Sequence, residues 1–160
     1  MQGIPLNERK RLGALLDDRP QTEVMAMIPQ FSQAETDNFV APPAQIPEAL
    51  GVLMFNMERG VNLLEIQEFL RDCPDIQPFD VILANELDDG CARSGNKNTA
   101  RELAQAFGLN YAWGLEFIEL VNDENAKGFH GNAVFSRWPI RRAGVIRLPE
   151  QYNWYFDRQK

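Results

Sequence analysis

Apolar residues are scattered through the first 48 positions and gather into distinct runs after them. The stretch "NERKRLGALLDD" has the spacing of a short helix, and "TEVMAMIPQF" predicts a second helix broken by Pro29. In "NFVAPPAQIPEAL", Pro42, Pro43 and Pro47 preclude regular helix and predict an extended lead-in. Residues 1–48 therefore read as an N-terminal arm, joined to a main domain over residues 49–160.

From Gly51 the pattern becomes regular. "GVLMF" is a continuous apolar run of the kind found in strands buried on both faces. It runs into Asn56, Glu58 and Arg59 and stops at Gly60. In "NLLEIQEFLRDC", Leu63, Ile66 and Leu70 share one helical face, Asn62 is a candidate N-cap, and Pro74 and Pro78 close the segment. "FDVILANE" predicts a second buried strand over Phe79–Ala84, with Asn85 and Glu86 at its end. Strand, helix, strand over this length predicts a parallel pair. Parallel strands end at the same sheet edge, where α/β sheets place their sites, so Asn56 and Glu86 should lie close together.

Beyond them, "LDDGCARSGNKN" predicts a polar loop and "TARELAQAFG" a helix, with Thr99 and Glu102 as a capping box and Gly108 as the stop. "NYAWGLEFI", "GNAVFS" and "AGVIRL" predict three strands, and "NWYFDRQK" adds no closing element. The first half alternates α and β and the second is richer in strand. This predicts an α/β (α+β) protein with a mixed sheet and helices packed outside it.

Composition narrows the function. With 160 residues, 44% of them hydrophobic, the chain is long enough for one ordinary domain with a sizeable core. The formal net charge of −7 disfavours a long nucleic-acid footprint, which gains affinity by neutralising phosphates with Lys and Arg. Arg9-Lys10-Arg11 and the group Arg137, Arg141, Arg142 and Arg147 read as solvated faces. Two cysteines, Cys73 and Cys91, suit free thiols in a reducing compartment. No signal peptide or membrane-spanning run is visible, so a cytoplasmic location is expected.

The pieces "VLMFNMERG", "FDVILANELD", "TARELAQAFGLNYAWGLEF" and "HGNAVFSRWPI" occur in that order with short spacers. Together they resemble the N-terminal half of the endonuclease/exonuclease/phosphatase superfamily, the DNase-I-like metal-dependent phosphoesterases, from about Gly51 to about Leu148. The resemblance implies part of a DNase-I-like αββα sandwich of four layers, preceded here by the helical arm. It also implies hydrolysis of a phosphoester substrate with Mg²⁺ or Mn²⁺. Asn56 would stand beside the metal and the scissile phosphate, and Glu86 would be the principal metal ligand, with Asn85 in place of the usual Gln. Glu58 resembles an acidic position that supports the metal in some members. The chemistry is coherent, because Mg²⁺ takes one or two carboxylates and keeps waters for phosphate.

Other readings stand beside these roles. Glu86 could be a surface carboxylate, and Glu58 a surface neighbour of Arg59. His130, the single histidine, reads as a loop or packing residue or as a substrate contact. Asn132 reads as a strand residue or a substrate contact. Arg137 and Trp138 read as structural, the arginine paired with an acid and the tryptophan lying over the core. The family's later motifs, an Asp-x-Asn and a terminal Ser-Asp-His, are read as lying beyond this stretch, which makes the chain the N-terminal part of a longer domain. A scaffold or interaction module that retains half of the fold, self-associating through uncovered sheet edges, is the alternative. An unrelated α/β binding domain is the third.

Overall fold

The computed structural model describes residues 1–148. It is an α+β arrangement of one mixed five-stranded sheet and four α-helices. The order along the chain is α1 (Leu6–Leu15), α2 (Gln21–Ala26), β1 (Ala34–Asp37), β2 (Val52–Arg59), α3 (Leu63–Asp72), β3 (Val81–Asp89), α4 (Thr99–Phe107), β4 (Asn110–Ile118) and β5 (Phe129–Ser136). In space the strands run β1-β4-β5-β3-β2. Strands β2 and β3 are the expected parallel pair, joined through α3, and the other neighbours are antiparallel.

The N-terminal arm is part of this body. Strand β1 pairs with β4 from Ala34↔Gly114 to Asp37↔Tyr111, and Leu12, Leu16, Val24, Ile28 and Phe31 join the common core. Helix α1 is docked by Arg9, whose buried guanidinium donates to the carbonyls of Glu119, Asn122 and Asn125. Strand β1 reads "AETD", a polar edge strand with no apolar alternation, so its hydrophobicity gave no sign of it.

Helices α3 and α4 supply the apolar cover of one sheet face. Leu63 and Leu70 of α3 are buried, and Phe69 stacks on Phe55 of β2 with ring centroids 5.8 Å apart. Helix α4 buries Ala100, Leu103 and Ala104 in the core cluster that holds Tyr111, Trp113 and Phe135. Its N-cap differs from the expected capping box. Asn98 Oδ1 accepts the Arg101 N–H at 2.9 Å, while Thr99 is buried and donates to the Asp88 carbonyl at 2.8 Å. Glu102 pairs with Lys97 instead of turning back on the helix. Gly108 does end the helix, at φ +59°.

Two further expectations are corrected. Strand β3 continues past Glu86 to Asp89, so part of the predicted loop "LDDG" is sheet. "AGVIRL" forms no strand; residues 141–148 have no regular structure. They run beside the opposite sheet face, with Arg147 donating to the carbonyl of Phe31 at 2.9 Å and also to that of Leu115. The sequence stretch "NWYFDRQK" lies outside the described residues. Among the described residues, no helix is long and apolar enough to cross a membrane.

That opposite face is only partly covered. Val52 and Met54 of β2 and Val134 of β5 are 55%, 75% and 41% exposed. Alternation along each strand accounts for this: Leu53 and Phe55 point to the helices and their neighbours point away. Strands β4 and β5 leave no room for a side chain at Gly131. A Cβ there would sit 2.1 Å from the Gly114 carbonyl oxygen and 2.8 Å from the Trp113 ring. Gly131→Ala should therefore destabilise the fold by about 2 kcal/mol or more, the range for forced overpacking. Urea unfolding of the two proteins checks this, and an unchanged midpoint would show that the strands part there at no cost.

Candidate functional site

The C-terminal end of the parallel pair carries the residues expected there. Asn56 and Asn85 are register partners, and the Asn56 Nδ2 donates to Glu86 Oε1 at 2.8 Å. Asn56 Oδ1 accepts the Glu58 N–H at 2.8 Å. The amide thus faces Glu86 with its nitrogen and the β2 terminus with its oxygen, so it orients the carboxylate. The second Glu86 oxygen has no hydrogen-bond partner among the described residues.

The backbone here is irregular on three strands at one level of the sheet. Between β3 and β5, Asn85 and Glu86 together oppose Asn132. Between β2 and β3, Met57 and Glu58 together oppose Glu86. Between β4 and β5, Glu116 is skipped in the pairing from Leu115 to Phe117. Bulges of this kind re-aim side chains and gather next to functional sites. Each of these three displaces a glutamate. Glu58, Arg59 and Glu86 also adopt φ of +46°, +66° and +58°. Left-handed backbone in residues other than glycine costs on the order of 1–3 kcal/mol each, and such strain clusters where geometry serves a function.

Asn132 joins the array. Its Oδ1 accepts the Glu86 N–H at 3.2 Å, and its Nδ2 donates to Glu116 Oε2 at 3.2 Å. A hydrogen-bonded row results across the open face: Asn56, Glu86, Asn132, Glu116. A groove of about 1020 Å³ lies between this face and residues 140–148, with Asn85, Asn132, Glu116 and Arg142 among its lining residues.

His130 lies on β5 but is turned to another task. It is buried, its Nδ1 is 2.7 Å from Asp88 Oδ1, and its ring stacks on Phe117 at 4.3 Å. Asp88 is fully buried and also accepts two bonds from Arg93, at 2.8 and 2.9 Å, and one from Ser94 at 3.1 Å. Arg93 also bonds to Glu119. His130 therefore serves the Asp88 cluster rather than an exposed substrate surface. Burial alone would raise the Asp88 carboxyl, but the bonds from His130 and Arg93 outweigh it and hold the group below its ordinary value. Burial pushes the neighbouring Cys91 thiol well up, which leaves it inert. Arg137 is paired with an acid as expected, Asp80, at 2.9 Å.

A hard cation suits part of this donor set. Glu86 offers one oriented carboxylate with a spare oxygen, which fits the sparse protein coordination of Mg²⁺. Glu58 is not drawn in: its carboxylate is exposed and makes no hydrogen bond or ion pair among the described residues. Among those residues, no group of three or more His, Cys, Asp or Glu side chains is gathered to hold a metal. The letters of Asp-x-Asn occur at Asp123-Glu124-Asn125, but Asn125 is buried, accepts the Ala92 N–H and donates to Glu119. Sequence reasoning missed Glu116 and the Asp88 cluster. In "GLEFI" a glutamate between Leu115 and Phe117 looks like ordinary alternation, and nothing in the letters marks a bulge.

Comparison of the chain with protein-family models, with curated proteins and with solved structures returned no match.

The Asp88 cluster generates a pH prediction. A carboxyl held below its unfolded value contributes stability that is complete above about pH 4 and is lost as pH falls through the folded value. Asp88→Asn should cost about 3 kcal/mol near neutrality and flatten the acid limb of the stability curve. Denaturant unfolding between neutral and acid pH measures both. An equally steep acid limb in the variant would assign acid lability to other carboxylates.

Proposed function

We propose that this chain carries the metal end of a Mg²⁺- or Mn²⁺-dependent phosphoesterase site built on part of a DNase-I-like αββα sandwich. The observation that carries the reading is the Asn56–Glu86 hydrogen bond at the shared C-terminal end of β2 and β3. Its support is the coincidence of position, strain and chemistry: an oriented carboxylate, at a bulge, on the edge where such sheets place their sites. Glu86 would hold the ion through its spare oxygen. Asn56 would fix the Glu86 carboxylate and keep it aimed. A bound divalent ion would supply Lewis acidity toward a phosphoryl oxygen of the substrate. Asn132, exposed beside Glu86, would help seat a phosphoester, with Arg142 of the adjoining groove as a candidate cationic contact. His130, buried against Asp88, is better suited to holding β5 than to touching substrate.

The test is direct. The 160-residue chain and its Glu86→Gln variant are titrated with Mn²⁺ and followed by electron paramagnetic resonance, with thermal unfolding as a fold control. Loss of affinity in the variant should exceed the roughly ten- to hundredfold penalty typical of an outer partner, at an unchanged unfolding midpoint. Equal Mn²⁺ binding by the two proteins would sink the ligand role of Glu86.

One observation favours a second reading, that of an interaction or scaffold module. Val52, Met54 and Val134 present exposed apolar side chains on the open sheet face, and β2 is an edge strand. Under this reading the chain self-associates, and Met54→Lys reduces the association. Sedimentation over a range of concentrations decides it: a mass that never rises with concentration excludes self-association through this face.

A further inference from the structure

The bulge in β4 creates a glutamate that the pairing of the sheet does not require. Glu116 is exposed, has no register partner in β5, and yet receives the Asn132 Nδ2 at 3.2 Å. Its main chain is fastened from outside the sheet as well. Arg147 donates to the Glu116 carbonyl at 3.4 Å and to the carbonyl of Leu115.

We infer that Glu116 is a positioning residue for Glu86, acting through the side-chain amide of Asn132. This inference rests on the reading of Glu86 as a metal ligand. A primary amide is nearly symmetric in shape. Its oxygen and nitrogen exchange places by a half turn, and only the partners decide which way it faces. An ionised carboxylate can only accept a hydrogen bond, so Glu116 selects the orientation that turns Nδ2 toward β4. The Asn132 Oδ1 must then face β3, where it accepts the Glu86 N–H at 3.2 Å. That N–H belongs to a bulged residue with no ladder partner in β5, and a main-chain donor left unsatisfied is costly. With it satisfied, the φ of +58° at Glu86 is held, and the side chain is aimed at Asn56 Nδ2 at 2.8 Å. With the amide reversed, two N–H groups would face each other at Glu86 and the bulge would lose its support. Glu116 thus controls, from two strands away, which way the Glu86 carboxylate points.

The experiment uses the ¹⁵N-labelled full chain in four forms: wild type, Glu116→Ala, Glu116→Gln and Glu86→Gln. Amide spectra are first recorded without metal, and each protein is then titrated with Mg²⁺. In Glu116→Ala the metal-free signals of the Glu86 backbone amide and of the Asn132 and Asn56 side-chain amides should move, while those of α4 stay. Glu116→Gln retains an acceptor oxygen but its own amide can also donate, so it selects the Asn132 orientation less firmly and should restore the wild-type shifts only in part. Mg²⁺ affinity should fall about ten- to a hundredfold in Glu116→Ala, as for loss of a partner that orients a ligand. It should fall by less in Glu116→Gln. The inference is overturned if the Glu86 amide does not move in Glu116→Ala. It is also overturned if Glu116→Gln loses Mg²⁺ as fully as Glu86→Gln, which would make Glu116 a ligand itself. A wild-type chain that binds no Mg²⁺ removes the functional reading of the site. The metal-free shifts then still decide the relay: it stands if Glu86 moves in Glu116→Ala and falls if it does not.

Discussion

The carboxylate of Asp88 has no exposed surface, and a charge in that position must be met by donors inside the protein. The donors come from two directions. Arg93 and Ser94 reach back from the turn that follows β3, and His130 reaches across from β5. The Asp88 carbonyl takes the Thr99 hydroxyl, which ties the first turn of α4 to the same point. One residue thus joins the central strand pair, the following turn and the helix that covers the sheet. The arrangement tolerates little rearrangement, since each donor moved away leaves part of a buried charge unmet.

This fixed point lies just beyond the irregular level of the sheet. Leu87 is held by the Trp113 indole, and Asp88 by its cluster, so β3 is in regular register on that side. It is also in register through Ala84 on the other. The extra residue between these two regular stretches has to be accommodated locally, and Glu86 takes it up with a left-handed backbone. On β2 the left-handed Glu58 stands at the irregularity, and on β4 Glu116 does, without a left-handed backbone. A sheet that was regular throughout would send alternate side chains to opposite faces. The bulges break that rule and bring acidic and amide side chains side by side on the open face, within hydrogen-bonding distance of one another.

Much of this was legible in the letters. The apolar run "VLMF" before Asn56 and the run "VILA" before Asn85 specify strands, and the helix between them favours a parallel pairing; β2, expected to be buried on both faces, is instead an edge strand with Val52 and Met54 exposed. Strand direction alone then brings Asn56 and Glu86 to one edge. Other features were not legible, for reasons that differ. Strand β1 is a short polar edge strand, stabilised by pairing with β4 rather than by its own hydrophobicity. Asn98 displaced Thr99 as the cap of α4 because the Thr99 hydroxyl is drawn into the buried Asp88 group. His130 was open to a packing role or a substrate contact until Asp88, distant in sequence, was placed beside it.

The sequence by itself determined the order of strand and helix between Gly51 and Ser136 and the edge at which Asn56 and Glu86 end. These follow from periodicity and chain direction, which are local properties. Only the tertiary structure decided the bulges, the left-handed turn of Glu86, the use of His130 and the recruitment of Glu116. Each of these depends on the register between strands that are remote in sequence. A register is a compromise among all the pairings of a sheet at once, and no single stretch of residues contains it.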